Sequence, residues 1–206
     1  MPNIRIHFQA DSYFHIFNHS IEESNLFNEE RNYYYFLEKY DNYLSPIADT
    51  LAYCLMPNHY HFLVKFHSLS QIEKFFDPIN STKIPDINKK LSNQLGNLQN
   101  SYAKSFNNTY GRKGSLFIHS VERKHVDGEY YLKNVIHYIH NNPVKHGITD
   151  KIDDWKFSSY HAYLENKLTK IKKDLGLKYF KDIQQFIDFQ NDKIDPNFMI
   201  EMGYEY

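Results

Sequence analysis

Residues 48–66 restrict the fold most. Two apolar-rich runs, ADTLAYCLM (48–56) and HYHFLVKF (59–66), stand with only Pro57 and Asn58 between them. A connection that short leaves no room for a crossover helix, so the two runs form an antiparallel hairpin. Any sheet built around it has antiparallel strands at its centre.

The remaining segments supply partners for the hairpin. Residues 12–18 (SYFHIFN) predict a first strand, followed by the polar turn HSIEESN. From Glu29 to Leu44, Tyr33, Phe36, Leu37, Tyr40 and Leu44 recur at helical spacing, and Pro46 ends the helix. The polar stretch containing Pro78 and Pro85 predicts a loop with a short helix over 70–77. Leu91, Leu95, Leu98, Tyr102 and Phe106 predict a longer helix over 87–110, stopped by Gly111. A further strand is expected within 115–126. A helix then runs from an Asp127 N-cap to Asn141, with Pro143 closing it. Residues 155–165 and 176–190 suggest short helices. The order β-α-β-β-α-β-α implies an α+β domain: an antiparallel sheet with helices on one face.

Composition sets the class. Sixteen Phe and 18 Tyr against seven Gly and seven Pro describe an ordered globular chain. So many phenol rings also offer faces on which bases can stack, although an AT-rich coding sequence produces the same bias. The net charge of −1 argues against a nucleic-acid partner until its distribution is seen. Within residues 102–146, Lys104, Arg112, Lys113, Arg123, Lys124, Lys133 and Lys145 face only Glu122, Asp127 and Glu129. This basic island is what a phosphate-facing surface requires, though a solvated charged face has the same composition. The lone Cys54 cannot form an internal disulfide and fits a reducing cytosol. No apolar stretch suits a signal peptide or a membrane span, so a cytoplasmic location without membrane partners is expected.

Two segments carry chemistry. In Met56-Pro57-Asn58-His59-Tyr60-His61, strand alternation sends both imidazoles to one face, about 7 Å apart, where both can reach one cation. A pair of histidines on a strand is more often a surface or core feature, and two residues cannot hold a catalytic metal by themselves. In Tyr138-Ile139-His140-Asn141-Asn142-Pro143-Val144-Lys145-His146-Gly147, Tyr138 and Asn142 share a helix face. A phenol there can attack phosphorus, and an amide oxygen is a hard ligand of the kind Mg²⁺ or Mn²⁺ takes. Taken singly, a tyrosine on a helix is usually structural and an Asn before Pro usually marks a helix end.

Together, CLMPNHYHFLV and the downstream YIHNNPVKHG closely resemble the single-tyrosine HUH transposases, and among them the REP-associated tyrosine transposase branch. FHIFNHSIEESNLF, the connector GRKGSLF and WKFSSYHAY extend the resemblance over roughly residues 12–165. It implies an RRM/ferredoxin-like α+β domain over 1–165; a helical C-terminal extension over 166–206 is expected beside it, outside the resemblance. It also implies His59, His61 and Asn142 as ligands of Mg²⁺ or Mn²⁺, and Tyr138 as nucleophile. The activity implied is a single-strand DNA endonuclease and strand transferase that recognises DNA hairpins and leaves a 5′-phosphotyrosine link with a free 3′-hydroxyl. The family often has Arg-Gly where this chain has His19-Ser20. It usually has further basic residues where this chain has Ile118-His119-Ser120-Val121.

Arg112, Lys113, Arg123, Lys124 and Lys145 are the expected DNA contacts, positioning a strand without reading its sequence. Tyr131, seven residues before Tyr138, is the rival nucleophile. His137, His140 and His146 are rival ligands or proton carriers. The alternative function is a non-catalytic RRM-like nucleic-acid-binding module. A replication initiator of the wider HUH group and a barrel metal hydrolase fit the length and motifs less well. Either a monomer or a homodimer is compatible with the sequence, and that choice decides which chain's Tyr138 meets which pair of histidines.

Overall fold

The computed structural model describes residues 6–21, 24–118 and 120–202. Two residues of the turn after the first strand, at 22 and 23, and His119 of the connector lie outside them. Four strands, β1 (Tyr13–His19), β2 (Ala48–Met56), β3 (His59–Phe66) and β4 (Glu122–Val126), form one sheet in the order β2-β3-β1-β4. Every neighbouring pair is antiparallel. The expected α+β, RRM/ferredoxin-like arrangement is present, with β3 and β1 at the centre.

Each face of the sheet has its own apolar layer. α1 (Glu30–Leu44) starts at a capping box between Glu29 and Asn32. α3 (Ile87–Tyr110) starts where the Lys89 amide donates to the Asp86 side chain at 2.9 Å. It ends at Gly111, whose φ of 63° is the left-handed conformation that glycine adopts without strain. These two helices set Tyr33, Phe36, Tyr40, Leu95, Leu98 and Tyr102 against Phe14, Ile16, Tyr60, Phe62 and Val64 of the central strands. Tyr40 stacks flat on Phe62, with centroids 4.0 Å apart. Burying each such aromatic side chain stabilises the fold by about 1.5–3 kcal/mol. The short α2 (Leu69–Phe76) begins at a Ser68 capping box and buries Ile72 beside them.

Helices cover both faces, not one. α4 (Glu129–Lys145) lies across the opposite face, where Leu132, Val135, Ile136 and Ile139 meet Leu51, Ala52, Cys54, Met56 and Leu63. This explains why β3 is buried at all but one of its positions: Tyr60, Phe62 and Val64 point to α1 and α3, while His59, His61 and Leu63 point to α4. A strand buried on both sides loses the polar alternation that marks a half-exposed one.

The ends of α4 differ from the sequence expectation. Gly128, with φ 83°, occupies the N-cap in place of Asp127. The helix also runs through Pro143 to Lys145 rather than closing before it. A proline this near the C-terminus removes one hydrogen bond only, and the next turn recovers: His146 N donates to Asn142 O at 3.0 Å.

Residues 155–159 are not helical; they form a turn with one bridge to β2. They run beside the edge strand β2, with Leu55 N donating to Phe157 O and Ser159 N to Tyr53 O, both at 2.9 Å. This covers an edge that would otherwise expose unpaired amides. α5 (Tyr160–Leu164), α6 (Lys173–Leu177), α7 (Ile183–Asn191) and α8 (Pro196–Glu201) follow. Phe180, Phe186 and Phe198 from this region join the α4 layer. Among the described residues no helix is long and apolar enough to cross a membrane.

Candidate active site between the sheet and its late helix

β1 and β3 pair in a register that sets His19 opposite His59 and Phe17 opposite His61. Opposed residues project to the same side of a sheet, so His15, His19, His59 and His61 all face α4. α4 brings Tyr138, Asn142 and Lys145 down onto them. The ring of Tyr138 stands edge-on to His61 with centroids 5.5 Å apart, and edge-on to His15 at 5.9 Å. The rings of His59 and His61 lie 5.2 Å apart at 86°. A single chain therefore gathers the strand histidines, the helical phenol and the helical amide in one place.

The amide is the hinge of the group. Asn142 is fully buried; its Nδ2 donates to Tyr138 O at 2.7 Å. Its side chain also lies close enough to His59 and to the Tyr138 hydroxyl to favour the charged form of each. Asn142 Oδ1 and His59 Nε2 are both buried and have no hydrogen-bond partner of ordinary geometry. Leaving two such atoms unsatisfied costs about 1–3 kcal/mol each. A lone pair on each, directed into the same small space, is what a cation with nitrogen and oxygen ligands would satisfy. His59 Nδ1 lies 2.7 Å from Asn58 Oδ1, so it carries the ring proton and leaves Nε2 free to coordinate. Among the described residues, no three His, Cys, Asp or Glu side chains form such a cage without the amide.

Burial governs the electrostatics. It pulls His59 down to about 3, helped by the neighbouring His19 and His146, and holds His61 well below the usual imidazole range. His15 is lowered in the same way, first by burial and then by Lys124. Neutral imidazoles are the form that binds metals. Burial pushes the Tyr138 phenol up to about 12, with Asn142 opposing it. The phenol therefore needs added positive charge to ionise near neutrality. Lys145 Nζ, 5.3 Å from the centre of the Tyr138 ring, supplies one cation.

The other candidates separate. Tyr131 does not join the group; its hydroxyl donates to Glu201 Oε2 at 2.7 Å. His140 bonds to Ser159 Oγ at 2.8 Å and Gln190 Oε1 at 3.0 Å, and His137 packs on Phe189. Both point toward the C-terminal helices. His146 does reach the site, its ring 4.9 Å from His59. β4 alternation sends Arg123 and Lys124 to opposite faces. The Arg123 guanidinium lies 3.8 Å over Phe8 and donates to Ser92 Oγ at 3.0 Å, on the α3 side. Lys124 lies on the α4 side, where burial lowers it to about 8 and its Nζ donates to Met202 O. Arg112 donates to Asn107 Oδ1 at 3.0 Å at the end of α3, with exposed Lys113 beside it. The basic island is thus spread over several surfaces.

Sequence reasoning missed His15 and His19. The spacing His15-x-Phe17-x-His19 on a strand already placed them on one face; only the register with β3 shows that this face is the one bearing His59 and His61.

Comparison with known proteins bears on the fold and on the family it resembles. No family model matches the chain. A Haemophilus influenzae protein named as a REP-associated tyrosine transposase is 26% identical over 113 residues, which cover 55% of this chain and 59% of that protein. A solved structure of a REP-associated tyrosine transposase bound to a REP hairpin matches the fold with a TM-score of 0.59. That match is 17% identical and covers 82% of this chain and 88% of the other. In sequence and in fold alike, the chain is similar to the REP-associated tyrosine transposases.

Proposed function

We propose that this chain is a metal-dependent single-strand DNA endonuclease and strand transferase, a cytoplasmic enzyme that recognises hairpin DNA and cuts through Tyr138. One observation carries the proposal: Tyr138 stands against His61 while Asn142 Oδ1 and His59 Nε2 face the same space unsatisfied. The named relatives, one of them bound to a REP hairpin, support the choice of substrate.

In this account the Tyr138 oxygen attacks the scissile phosphorus. The Tyr138–phosphate bond forms as the bond to the 3′ oxygen breaks, and the phenol proton ends on that oxygen as a 3′-hydroxyl. The bond energy is kept in the 5′-phosphotyrosine link, so the hydroxyl can reverse the step without ATP. Mg²⁺ or Mn²⁺ held by His59, His61 and Asn142 would supply charge that polarises the phosphate and stabilises the transition state. Asn142 orients the phenol and Lys145 favours its ionised form. Lys145 and Lys124 on the α4 side are assigned to the strand being cut. Arg112 and Lys113 are assigned to more distant backbone contacts, and Arg123 to a contact through the α3 face. Residues 1–165 carry the chemistry, and 166–206 brace α4 through Phe180, Phe186 and Phe198. The pairing of nucleophile and histidines within one chain supports a site complete in a monomer.

The test is cleavage of a labelled single-stranded hairpin with Mg²⁺ or Mn²⁺ by the native chain and by a H59A/H61A variant. Near-complete loss of cleavage with hairpin binding retained is expected. Full cleavage by the double variant would discard the metal site. Binding without cleavage by the native chain would leave the non-catalytic RRM-like module.

A further inference from the structure

A ligand histidine must present a lone pair to its metal, and a neutral imidazole has only one; the other nitrogen carries the proton. For His59 the adjoining Asn58 oxygen settles the matter, since it can only accept. His61 has no such oxygen. Its Nδ1 faces His15 Nε2 at 2.9 Å, with the two ring planes 22° from parallel and their centroids 5.0 Å apart, so the rings meet edge to edge. His15 has no measurable exposure, and Phe17 stacks on its ring with centroids 4.9 Å apart. Tyr138 closes a further side, edge-on. The His15 ring is held on β1 and cannot swing away from its partner.

We propose that His15 is the positioning residue for the metal site: it accepts a hydrogen bond from His61 Nδ1–H and thereby aims the His61 Nε2 lone pair at the cation. The inference rests on the proposed metal site and names a residue outside its ligand set. The bond is symmetric in its atoms but not in its consequence. If His15 donated, the His61 proton would move to Nε2 and the ligand would be lost. Only the arrangement with His15 as acceptor leaves both His59 and His61 with Nε2 lone pairs. A carboxylate or backbone carbonyl commonly plays this part for metal-bound histidines, and removing such a partner costs 10–100-fold in metal affinity. In this chain a second, fully buried imidazole takes that place.

The test measures Mn²⁺ binding directly, by electron paramagnetic resonance of the free ion titrated with the full chain in the absence of DNA. H15F keeps a flat ring against Phe17 and Tyr138 but cannot accept. H15Q offers an oxygen that can. We expect H15F to weaken Mn²⁺ binding roughly 10–100-fold and H15Q to recover most of the loss, with both variants folded by circular dichroism. If H15F does not fold, H15M against H15Q makes the same comparison, because Met fills the length without an accepting oxygen. Native affinity in H15F or H15M would overturn the role of His15 while leaving the metal site standing. Equal weakening in H15Q would reduce the role to packing and overturn the acceptor. Failure of the native chain to bind Mn²⁺ would overturn the metal site and this inference together.

Discussion

The ring of Tyr138, on α4, stands edge-on to the ring of His61, on β3, with centroids 5.5 Å apart and planes at 87°. Nothing local holds them there. Their meeting depends on α4 packing across the sheet face that α1 and α3 leave uncovered, through Val135, Ile136 and Ile139 on one side and Cys54 and Leu63 on the other. The apolar layer therefore sets the position of Tyr138. It also keeps water from the imidazoles and holds them neutral.

That neutrality has a measurable consequence for stability. His59, His137 and His140 are buried, and burial lowers them to about 3, about 4 and about 3; His15 and His61 are also held well below the usual range. Above about pH 6.5 these groups are neutral in both folded and unfolded chains and leave stability unchanged. Below it the unfolded chain takes up protons that the folded chain refuses, so stability falls as pH falls. Each histidine contributes up to about 1.4 kcal/mol per pH unit, down to its folded value. The melting temperature of the metal-free protein should drop steeply between pH 7 and pH 5. A melting temperature flat over that interval would show that the histidines are not buried neutral.

Asn142 should separate metal binding from folding. Its Nδ2 bond to Tyr138 O is a single helix-to-side-chain contact worth about 1 kcal/mol, so N142A should fold. Loss of Oδ1 removes the proposed oxygen ligand, and cleavage by N142A should need much more Mn²⁺ to reach half its maximum. N142D, which keeps an oxygen in place, should retain the native requirement. Unchanged Mn²⁺ dependence in N142A would remove Asn142 from the ligand set.

Lys145 lies 5.3 Å from the centre of the Tyr138 ring and is half-buried, with its ammonium ion penalised by that burial. A cation there should act on chemistry and on DNA together. K145A should slow formation of the covalent adduct about tenfold or more, equivalent to about 1.4 kcal/mol or more. The slope of hairpin affinity against salt should also fall by about one phosphate contact. Native adduct rates in K145A would place this lysine outside the site.

Much of the molecule was legible in the sequence because its signals are local. The bounds of β3 and of α3 follow from apolar spacing, Pro57-Asn58 and Gly111. The pair His59 and His61 follows from strand alternation, and Tyr138 with Asn142 from helical spacing. Part of what could not be read is local context that overrides a simple signal, and part is non-local. Pro143 looked like a helix end, yet the last turn of α4 re-forms beyond it. Residues 155–159 looked helical, yet they pair along the edge of β2, a partner far away in the chain. Arg123 and Lys124 looked like one basic patch, yet a period of two on β4 sends them to opposite layers. His15 passed as an ordinary strand residue because only the pairing of β1 with β3 brings it to His61.

The central claim is that Tyr138 is the atom donor in a covalent link to DNA. Its most direct measurement is a denaturing gel of the native chain and of Y138F after incubation with labelled single-stranded hairpin DNA and Mn²⁺. The native chain should yield a denaturant-resistant protein–DNA species. Y138F should yield none while still shifting the hairpin on a native gel. An adduct that persists in Y138F, or one that never forms with the native chain, would contradict the account.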